Sequence, residues 1–590
     1  MSAAAGGRAG SRYWIVLSTM FAGFCLLAIR AFYLQVVEAS YLQDQSDASH
    51  LRIIEDDSHR GMILDRNGEP LAISTPVDSV WANPEEFAQG RGSWPALARL
   101  LGISLSELAQ AVKRNAGRQF MYIEREIAPQ TARRVMALHI PGVALQREYR
   151  RYYPAGPVTG QLIGFTNVDD VGQEGVELAY NSWLRAIPGK ERVLQDRYGN
   201  IVQPVESISL PVPGKNLTLS IDRRIQFLVY RALKAAVKKF HAHAASAVVV
   251  DVRTGEVLAV VNVPSFNPNN RSGLRSSLVR DRAVTDVFEP GSTLKPFTIA
   301  AAMETGKYRP GTLINTSPGS IRVGGYTIRD DEDSGIISVA QIIEKSSNVG
   351  ATKIALSLDP ETMWNMFHLV GFGAPTGVGL PGEASGFVRP FQQWVPSEQA
   401  TMSFGYGISV SVMQLAQAYG GIANDGVMMP LTILRRDQPV AGRRIMTATT
   451  ARELRSMLEL VVSNGGTAPA AAVADYQVAG KTGTAHRLGR DGYEPNSYFA
   501  SFSGFVPASD PRLAMVIMVN NPRGGEYYGG EVAAPVFSRV MTGALRLLNI
   551  PPDNLPHPQR WVAQAPAPGI GGGFVRINAQ GGDAGAGGKL

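Results

Sequence analysis

Cysteine is almost absent from this chain of 590 residues, which contains only Cys25. A single cysteine excludes disulfides within the chain and every metal site that needs several cysteines. Cys25 lies in an apolar stretch and follows Phe24, where a lipoprotein signal would carry a small residue, so lipid attachment is not expected. The sequence predicts no metal site and no cofactor.

Charged residues and histidines are also sparse. Charged residues make up 18% of the chain, the net charge is +7, and no basic block has interleaved aromatics, so we predict no nucleic-acid partner. The eight histidines are scattered and no Gly-x-Ser-x-Gly elbow is present, which leaves a Ser-His-Asp hydrolase as a weak alternative. The hydrophobic content of 45% can build a sizeable core, and the length favours two or three domains.

The longest apolar run covers residues 13–34, and its only charge, Arg30, lies near its far end. About 20 apolar residues span a bilayer, so this run predicts one transmembrane helix. Arg8 and Arg12 precede it and acidic residues follow, so the positive-inside rule predicts a cytoplasmic tail over 1–12 and an exported remainder. A cleaved signal peptide is the alternative, although no small-x-small cleavage site follows promptly.

Residues 50–210 mix helix and strand signals with many turns and contain no group of catalytic residue types. We therefore predict a non-catalytic domain here. Apolar positions over residues 97–113 recur with helical period and predict a single helix. Residues 211–214, Pro-Val-Pro-Gly, predict a linker.

Residues 215–550 predict an α+β domain in which helices flank an antiparallel sheet. We expect a strand over 216–221, an amphipathic helix over 222–240, hairpins over 245–263 and 498–520, and a closing helix over about 535–548. Residues 551–590 are rich in Pro, Gly and Ala, so they bury too little apolar surface to offset the entropy of ordering. This segment predicts a disordered tail.

The first of three short motifs in this domain is Ser292-Thr293-Leu294-Lys295, which follows a Pro-Gly turn. Residues at i and i+3 share one helix face, so an amine lies beside a serine hydroxyl. A serine becomes a good nucleophile when a base takes its proton, and a desolvated neutral lysine is such a base. About one chance match is expected in a chain of this size, and alone the motif fits a surface Ser and Lys better.

The second motif is Ser346-Ser347-Asn348, in which Ser346 is placed to relay a proton and Asn348 to orient an amide. Taken alone, it fits an ordinary helix cap better. The third is Lys481-Thr482-Gly483-Thr484, within a predicted strand, and its amine and hydroxyls suit a carboxylate. A phosphate-binding P-loop is the rival interpretation, but it requires Gly where this chain has Asp475.

Together, the three motifs occur in an order that is typical of penicillin-binding proteins and class A β-lactamases. The chain resembles the class B penicillin-binding proteins over nearly its whole length, up to about residue 550. Further segments carry this resemblance: RGMILDRNGEPLA at 60–72, GQEGVELAYNSWL at 172–184, NLTLSIDRRIQ at 216–226 and SFGYGISVSVMQLAQAY at 403–419. The resemblance implies a transmembrane helix, an elongated α+β pedestal domain and a transpeptidase domain.

The resemblance also implies residue roles in a D,D-transpeptidase that cross-links peptidoglycan stem peptides and is acylated by β-lactams. Ser292 would attack the D-Ala-D-Ala donor, with Lys295 as base, Ser346 as proton relay and Asn348 holding the donor amide. Lys481, Thr482 and Thr484, with Gly483 between them, would bind the terminal carboxylate. Backbone N–H groups of Ser292 and Thr484 would form the oxyanion hole. Aromatic residues are similar to those of the family's site wall: Tyr406, Tyr498, Tyr527 and Tyr528.

Residues 345–350 and the short pedestal are closer to the division-specific member than to the elongation-specific one, which stays an alternative. Glycosyltransferase motifs are not evident, so a membrane glycosyltransferase and other division proteins are expected partners. A catalytically idle division scaffold is a further alternative, which the complete motifs argue against. A β-lactamase needs a deacylating Glu, and none matches the family pattern, although the chain contains Glu332, Glu383 and Glu531.

Overall fold

The structure, a computed structural model, describes residues 7–38, 51–195, 201–489 and 492–555. An N-terminal helix, α1 (Gly7–Phe32), continues as a π-helical turn over Tyr33–Val37. Residues 13–37 have a mean hydropathy of 2.0 and none of that surface is buried, so the helix is long and apolar enough to cross a membrane. The helix begins within the segment predicted as a tail and extends three residues beyond the predicted span.

The first domain after this helix is built on two sheets. A three-stranded sheet has the order β1-β6-β7, and a second sheet has the order β4-β3-β2-β8 with β5 also paired to β3. Its strands are β1 (Leu51–Asp56), β2 (Ile63–Leu64), β3 (Pro70–Ala82), β4 (Met121–Ile127), β5 (Val143–Tyr152), β6 (Gly189–Gln195), β7 (Ile201–Ser209) and β8 (Leu217–Thr218). Its helices are α2 (Pro84–Phe87), α3 (Trp94–Leu101), α4 (Leu105–Arg114), α5 (Pro129–Met136), α6 (Gly160–Ile163), α7 (Gly175–Ala179) and α8 (Asn181–Leu184).

Residues 97–113 form parts of two helices, so the prediction of one helix there was wrong. Gly102 has a left-handed φ of 71° and ends α3, because glycine adopts this conformation at little cost. Ser104 then starts α4 with a capping box, in which Ser104 and Glu107 satisfy each other's backbone N–H groups. The apolar residues keep their helical spacing across Gly102, so the sequence pattern did not reveal the end of one helix and the start of the next.

The strand predicted to open the second domain completes the sheet of the first. Strand β8 is shorter than predicted and pairs in parallel with β2, with Ile63 opposite Leu217. Helix α9 (Arg223–Lys239) follows, and the Asp222 carboxylate accepts from Arg224 N at its start, as its capping position predicts. The two domains therefore share a sheet where the chain passes between them.

The second domain is built on a five-stranded antiparallel sheet of order β10-β9-β19-β18-β17, which confirms the predicted α+β class. Its strands are β9 (Ala244–Asp251), β10 (Val257–Val263), β17 (Ala479–Gly489), β18 (Gly492–Val506) and β19 (Leu513–Asn520), so both predicted hairpins are present. Every residue of β9 and β10 is buried, so helices cover both faces of the sheet. Strand β17 forms one edge.

The remaining helices and strands lie between β10 and β17 or close the chain, and 3₁₀ turns occur in both domains. The helices are α10 (Ser276–Val279), α11 (Arg282–Thr285), α12 (Lys295–Glu304), α13 (Val339–Glu344), α14 (Asn348–Leu356), α15 (Pro360–Leu369), α16 (Pro396–Met402), α17 (Val412–Ala423), α18 (Ala448–Leu460), α19 (Gly529–Val532) and α20 (Ala534–Leu547). The short strands are β11 (Leu313–Asn315), β12 (Ser320–Val323), β13 (Tyr326–Arg329), β14 (Ile336–Ser338), β15 (Val427–Met428) and β16 (Arg443–Arg444). The 3₁₀ turns are Ala88–Ser93, Gly156–Val158, Gly291–Leu294, Phe391–Gln393 and Pro469–Ala471.

The segment predicted as a disordered tail begins with ordered residues. Asp553 accepts hydrogen bonds from Gln477 N (2.7 Å) and Ser509 Oγ (2.7 Å). Asn554 N donates to Asp475 O at 3.0 Å. Composition did not reveal these contacts, because their partners are groups of the folded domain that are distant in the chain. Residues 556–590 lie outside the described residues.

Candidate active site

A cleft of about 850 Å³ lies beside strand β17 in the second domain. Residues from all three sequence motifs line it, although they are far apart in the chain. The predicted site residues on its wall are Ser292, Ser346, Asn348, Thr482, Thr484, Tyr406, Tyr498, Tyr527 and Tyr528. Of the remaining predicted residues, Lys295 and Lys481 are fully buried behind this wall, and Gly483 lies within β17.

Ser292 lies in the 3₁₀ turn Gly291–Leu294, which leads directly into α12. Gly291 has a left-handed φ of 56°, and its N–H donates to Gly405 O at 3.2 Å. A Cβ on Gly405 would lie 2.1 Å from Gly291 O, so only glycine permits this approach. The Ser292 side chain is half-buried, and its hydroxyl makes no hydrogen bond with any described residue.

Lys295 lies one turn after Ser292 and is fully buried. Its Nζ donates to Asn348 Oδ1 at 2.8 Å, to Ser346 Oγ at 3.1 Å and also to the carbonyl of Ser346. Burial lowers the pKa of Lys295 to about 7, because a charged amine is poorly solvated there, and the charges of Asp330 and Asp331 only partly oppose this. A lysine with this pKa is neutral in a large fraction of molecules at neutral pH.

Lys481, which lies on β17, also contacts Ser346. Its Nζ donates to Ser346 Oγ at 2.8 Å and to Thr482 Oγ1 at 3.3 Å. Burial, followed by the charge of Lys295, holds the pKa of Lys481 well below its usual value. Because the Ser346 oxygen accepts from both lysines, its own hydrogen is left for a third group, which suits a proton relay.

Asp330 fixes the Ser346-Ser347-Asn348 segment, and the sequence analysis did not identify this residue. Its carboxylate accepts from Ser347 Oγ at 2.6 Å, from Val349 N at 2.9 Å and from Asn348 N. A carboxylate at the start of α14 also interacts favourably with the helix dipole. The preceding Ser346 has a left-handed φ of 61°, which is unusual for a residue with a Cβ and needs such support. Asp330 lies in an Asp-rich run, and only folding distinguishes it from its neighbours.

Asp330→Ala is expected to lower the free energy of unfolding by about 1–3 kcal/mol, because two backbone N–H groups lose a charged partner. We also expect slower acylation by penicillin, since Asn348 and Ser346 lose their support. Urea unfolding and stopped-flow acylation measure the two effects. Asp333→Ala is a matched control, because Asp333 bonds Ser317 and Gly335 rather than the motif. An Asp330 variant that acylates at the wild-type rate would contradict this prediction.

The Lys481-Thr482-Gly483-Thr484 segment lies in β17, as predicted, and forms one side of the cleft. The Thr482 hydroxyl lies 2.9 Å from that of Thr467, and Thr484 Oγ1 accepts from Gly529 N at 3.1 Å. A Cβ on Gly483 would lie 2.8 Å from Pro290 O and 2.4 Å from Ser501 Oγ. Glycine at this position therefore lets the Ser292 turn pack against β17.

The four predicted tyrosines all lie on the cleft wall. The ring of Tyr527 stacks on Tyr498 at 4.4 Å and on Tyr528 at 4.5 Å, so three of them form one continuous stack. The Tyr406 hydroxyl accepts from His486 N at 3.3 Å. His486 and Phe404 line the cleft as well and were not predicted. Their sequence signal was weak, because an isolated aromatic is more often part of a core.

The three glutamates considered as deacylating bases are in different places. Glu531 lines the cleft. Glu332 pairs with Lys345 at 3.3 Å, and Glu383 accepts from Thr376 N at 2.5 Å and Gly377 N at 3.1 Å. Only Glu531 is therefore in contact with the cleft.

Two family models match the chain over most of its length. The Penicillin-binding Protein dimerisation domain matches residues 55–219, and the Penicillin binding protein transpeptidase domain matches residues 245–542.

Two solved structures are also similar. The transpeptidase domain of penicillin-binding protein 3 from Burkholderia pseudomallei is 48% identical, with a TM-score of 0.53, and the match covers 57% of this chain and 98% of that one. Penicillin-binding protein 3 from Mycobacterium tuberculosis, complexed with aztreonam, is 28% identical, with a TM-score of 0.66 and coverage of 85% and 98%.

Curated relatives match the chain at nearly full length. The peptidoglycan D,D-transpeptidase FtsI of Escherichia coli strain K12 is 42% identical over 549 residues, which covers 92% of this chain and 93% of that protein. The probable peptidoglycan D,D-transpeptidase PbpC of Pseudomonas aeruginosa is 41% identical over 548 residues, with coverage of 93% and 97%. With both domains matched in order, the chain belongs to the class B penicillin-binding proteins, which are peptidoglycan D,D-transpeptidases.

Proposed function

We propose that this transpeptidase works through an acyl-enzyme on Ser292, with Lys295 as the base. The observation that carries the proposal is the position of Lys295. It is fully buried, has a pKa of about 7, lies one turn from Ser292 and contacts both Ser346 and Asn348. Burial supplies the neutral amine that serine activation requires.

In the first half-reaction Ser292 Oγ attacks the carbonyl of the penultimate D-Ala, and Lys295 takes the serine proton. Ser346 passes a proton to the departing D-Ala amine, so the C–N bond breaks and a seryl ester forms. Lys295 is directed at Ser346 and Asn348 in the free enzyme, and catalytic hydrogen bonds commonly tighten only when substrate binds. Asn348 is placed to hold the donor amide.

Binding of the donor carboxylate is assigned to the β17 side of the cleft. Thr482 and Thr484 present hydroxyls there, and Lys481 acts from behind Thr482 through its contacts with Ser346 and Thr482. Backbone N–H groups of Ser292 and Thr484 form the oxyanion hole, in which one donor is typically worth about 3 kcal/mol. The tyrosine stack lies beside β17, because Tyr498 is paired with His486 of that strand, and it would contact the stem peptide and β-lactam side chains.

We assign the enzyme to the division septum, with residues 1–12 in the cytoplasm and the two domains outside the inner membrane. Arg8 and Arg12 before the apolar helix support this orientation. The relatives called FtsI, together with residues 345–350, favour the septal role over the elongation role. A membrane glycosyltransferase and other division proteins would be its partners, because the matched domains account for cross-linking alone.

The test of the acyl-enzyme is intact-mass analysis of the full-length protein in detergent after incubation with a penicillin. One penicilloyl adduct per chain is expected, and peptide mapping should place it on Ser292. An adduct on another residue, or none at all, would contradict the assignment. An idle scaffold would give no adduct.

We further expect the penicilloyl-enzyme to persist for many minutes to hours. The opened β-lactam stays tethered to Ser292. Glu531 lines the cleft, but we do not assign it the role of a deacylating base. A stem-peptide thioester should be consumed faster when a D-amino acid is added, since the amine intercepts the ester. Adduct mass against time and product analysis measure both effects. Loss of the adduct within seconds would indicate a β-lactamase instead.

A further inference from the structure

The cleft is lined by three acidic side chains that the proposed mechanism does not use, Asp331, Glu526 and Glu531. Asp331 and Glu531 line it, and neither side chain forms an ion pair or hydrogen bond with another described residue. Both are exposed. In contrast, Glu526 in the same cleft lies 3.8 Å from the ammonium group of Lys239. Lys345 also lines the cleft and pairs with Glu332 at 3.3 Å, so Asp331 and Glu531 are the lining carboxylates without an ion-pair partner among the described residues.

These two carboxylates come from different elements and act on the same part of the cleft. Asp331 follows Asp330, which fixes the Asn348 segment, and Glu531 lies in α19 directly after the tyrosine stack. Tyr528 has a pKa raised to about 12, mainly by its hydrogen bond with Tyr527, and both carboxylates add to that shift. The charge of Asp331 also acts on Lys295. The charge of Asp331 thus acts both on Tyr528 and on the base beside Ser292, whereas that of Glu531 acts on Tyr528.

The second half-reaction needs an amine that reaches the seryl ester. An alkyl amine is an ammonium ion at neutral pH, with an ordinary pKa of about 10.4 for a lysine-like group. Two uncompensated carboxylates raise the local concentration of such a cation. The lysines near Ser292 do not oppose its approach strongly, since burial keeps both of them less charged than usual.

We propose that Asp331 and Glu531 determine acceptor specificity: they attract a primary ammonium group past Tyr528 to the acyl-enzyme and select against neutral and anionic acceptors. This inference rests on the proposed acyl-enzyme at Ser292. The ammonium ion loses one proton to water, its nitrogen attacks the ester carbonyl, and the bond from that carbon to Ser292 Oγ breaks. The second amine proton returns to Ser292 Oγ through Lys295 and Ser346. The products are an amide, a free serine and one released proton.

The test uses the full-length enzyme in detergent with a stem-peptide thioester as donor. Two acceptors are compared: D-lysine, which carries a cationic side-chain amine, and hydroxylamine, which is uncharged at neutral pH. The variants are Asp331→Asn, Glu531→Gln and the double variant. Glu361→Gln is the matched control, because it removes the same charge from an exposed position on α15 outside the cleft. The ratio of aminolysis to hydrolysis is measured at low and high salt.

We expect the KM for D-lysine to rise about three-fold in each single variant and about ten-fold in the double variant. The expected effects are small because two exposed charges attract each other only weakly. Added salt should raise it in the wild type and have little effect in the double variant. In Glu531→Gln, whose charge does not act on Lys295, aminolysis by hydroxylamine and the rate of penicillin acylation should stay unchanged, which a merely structural role would not allow. Equal losses with both acceptors, or no change with D-lysine, would overturn the proposal. Failure of the wild type to form any penicilloyl adduct would instead contradict the acyl-enzyme itself.

Discussion

Ser292→Ala should fold like the wild type and take up no penicillin. The Ser292 hydroxyl makes no hydrogen bond with the described residues, so its removal leaves no buried partner unsatisfied. Loss of a serine nucleophile in a comparable enzyme lowers kcat by about 10⁶, so acylation should fall below detection. Intact-mass analysis after a long incubation with penicillin measures the result.

The control for this substitution is Ser463→Ala, which removes an exposed hydroxyl that bonds only Leu460 O. This variant should label at the wild-type rate. Thermal melts of both variants should agree with that of the wild type to within a few degrees. A full-sized adduct on Ser292→Ala would mean that another residue is the nucleophile, and the assignment of the cleft would have to change.

Lys295→Arg is expected to fold and to slow acylation by about 10²–10⁴-fold, the usual contribution of a positioned general base. Arginine keeps the positive charge but cannot give up its proton in a protein, so it cannot activate Ser292. Lys295→Met removes both the charge and the base and should slow acylation similarly. Normal acylation by Lys295→Arg would show that the base lies elsewhere.

The pH dependence follows from the lowered pKa of Lys295, about 7. The neutral amine is the active form, so the acylation rate should rise about tenfold per pH unit below pH 7 and level off above it. The free energy of unfolding also depends on the protonation of Lys295. In the window from pH about 7 to about 10 the unfolded state retains a proton that the folded state has released, so the lysine's contribution to stability rises with pH. Lys295→Met removes this titration, so its melting temperature relative to that of the wild type should be higher at pH 6 than at pH 9.

The sequence alone determined the elements with strong local signals. The apolar N-terminal run, the Asp222 cap of α9 and both hairpins follow from periodicity and turn chemistry, which act between near neighbours. The resemblance to a family identified the motif residues, and the structure brings them to one cleft. The break at Gly102 was missed because the apolar period does not change across it.

Tertiary structure decided the features that depend on residues distant in the chain. The pKa of Lys295 is lowered by burial, which no local pattern reveals, and Ser346 joins two lysines that lie 186 positions apart only because β17 is the edge of the sheet. Asp330 became distinguishable from Asp331 only when one contacted α14 and the other faced the cleft. Sequence specifies which groups are available, but desolvation and charge depend on three-dimensional neighbours, and these set the chemistry of the site.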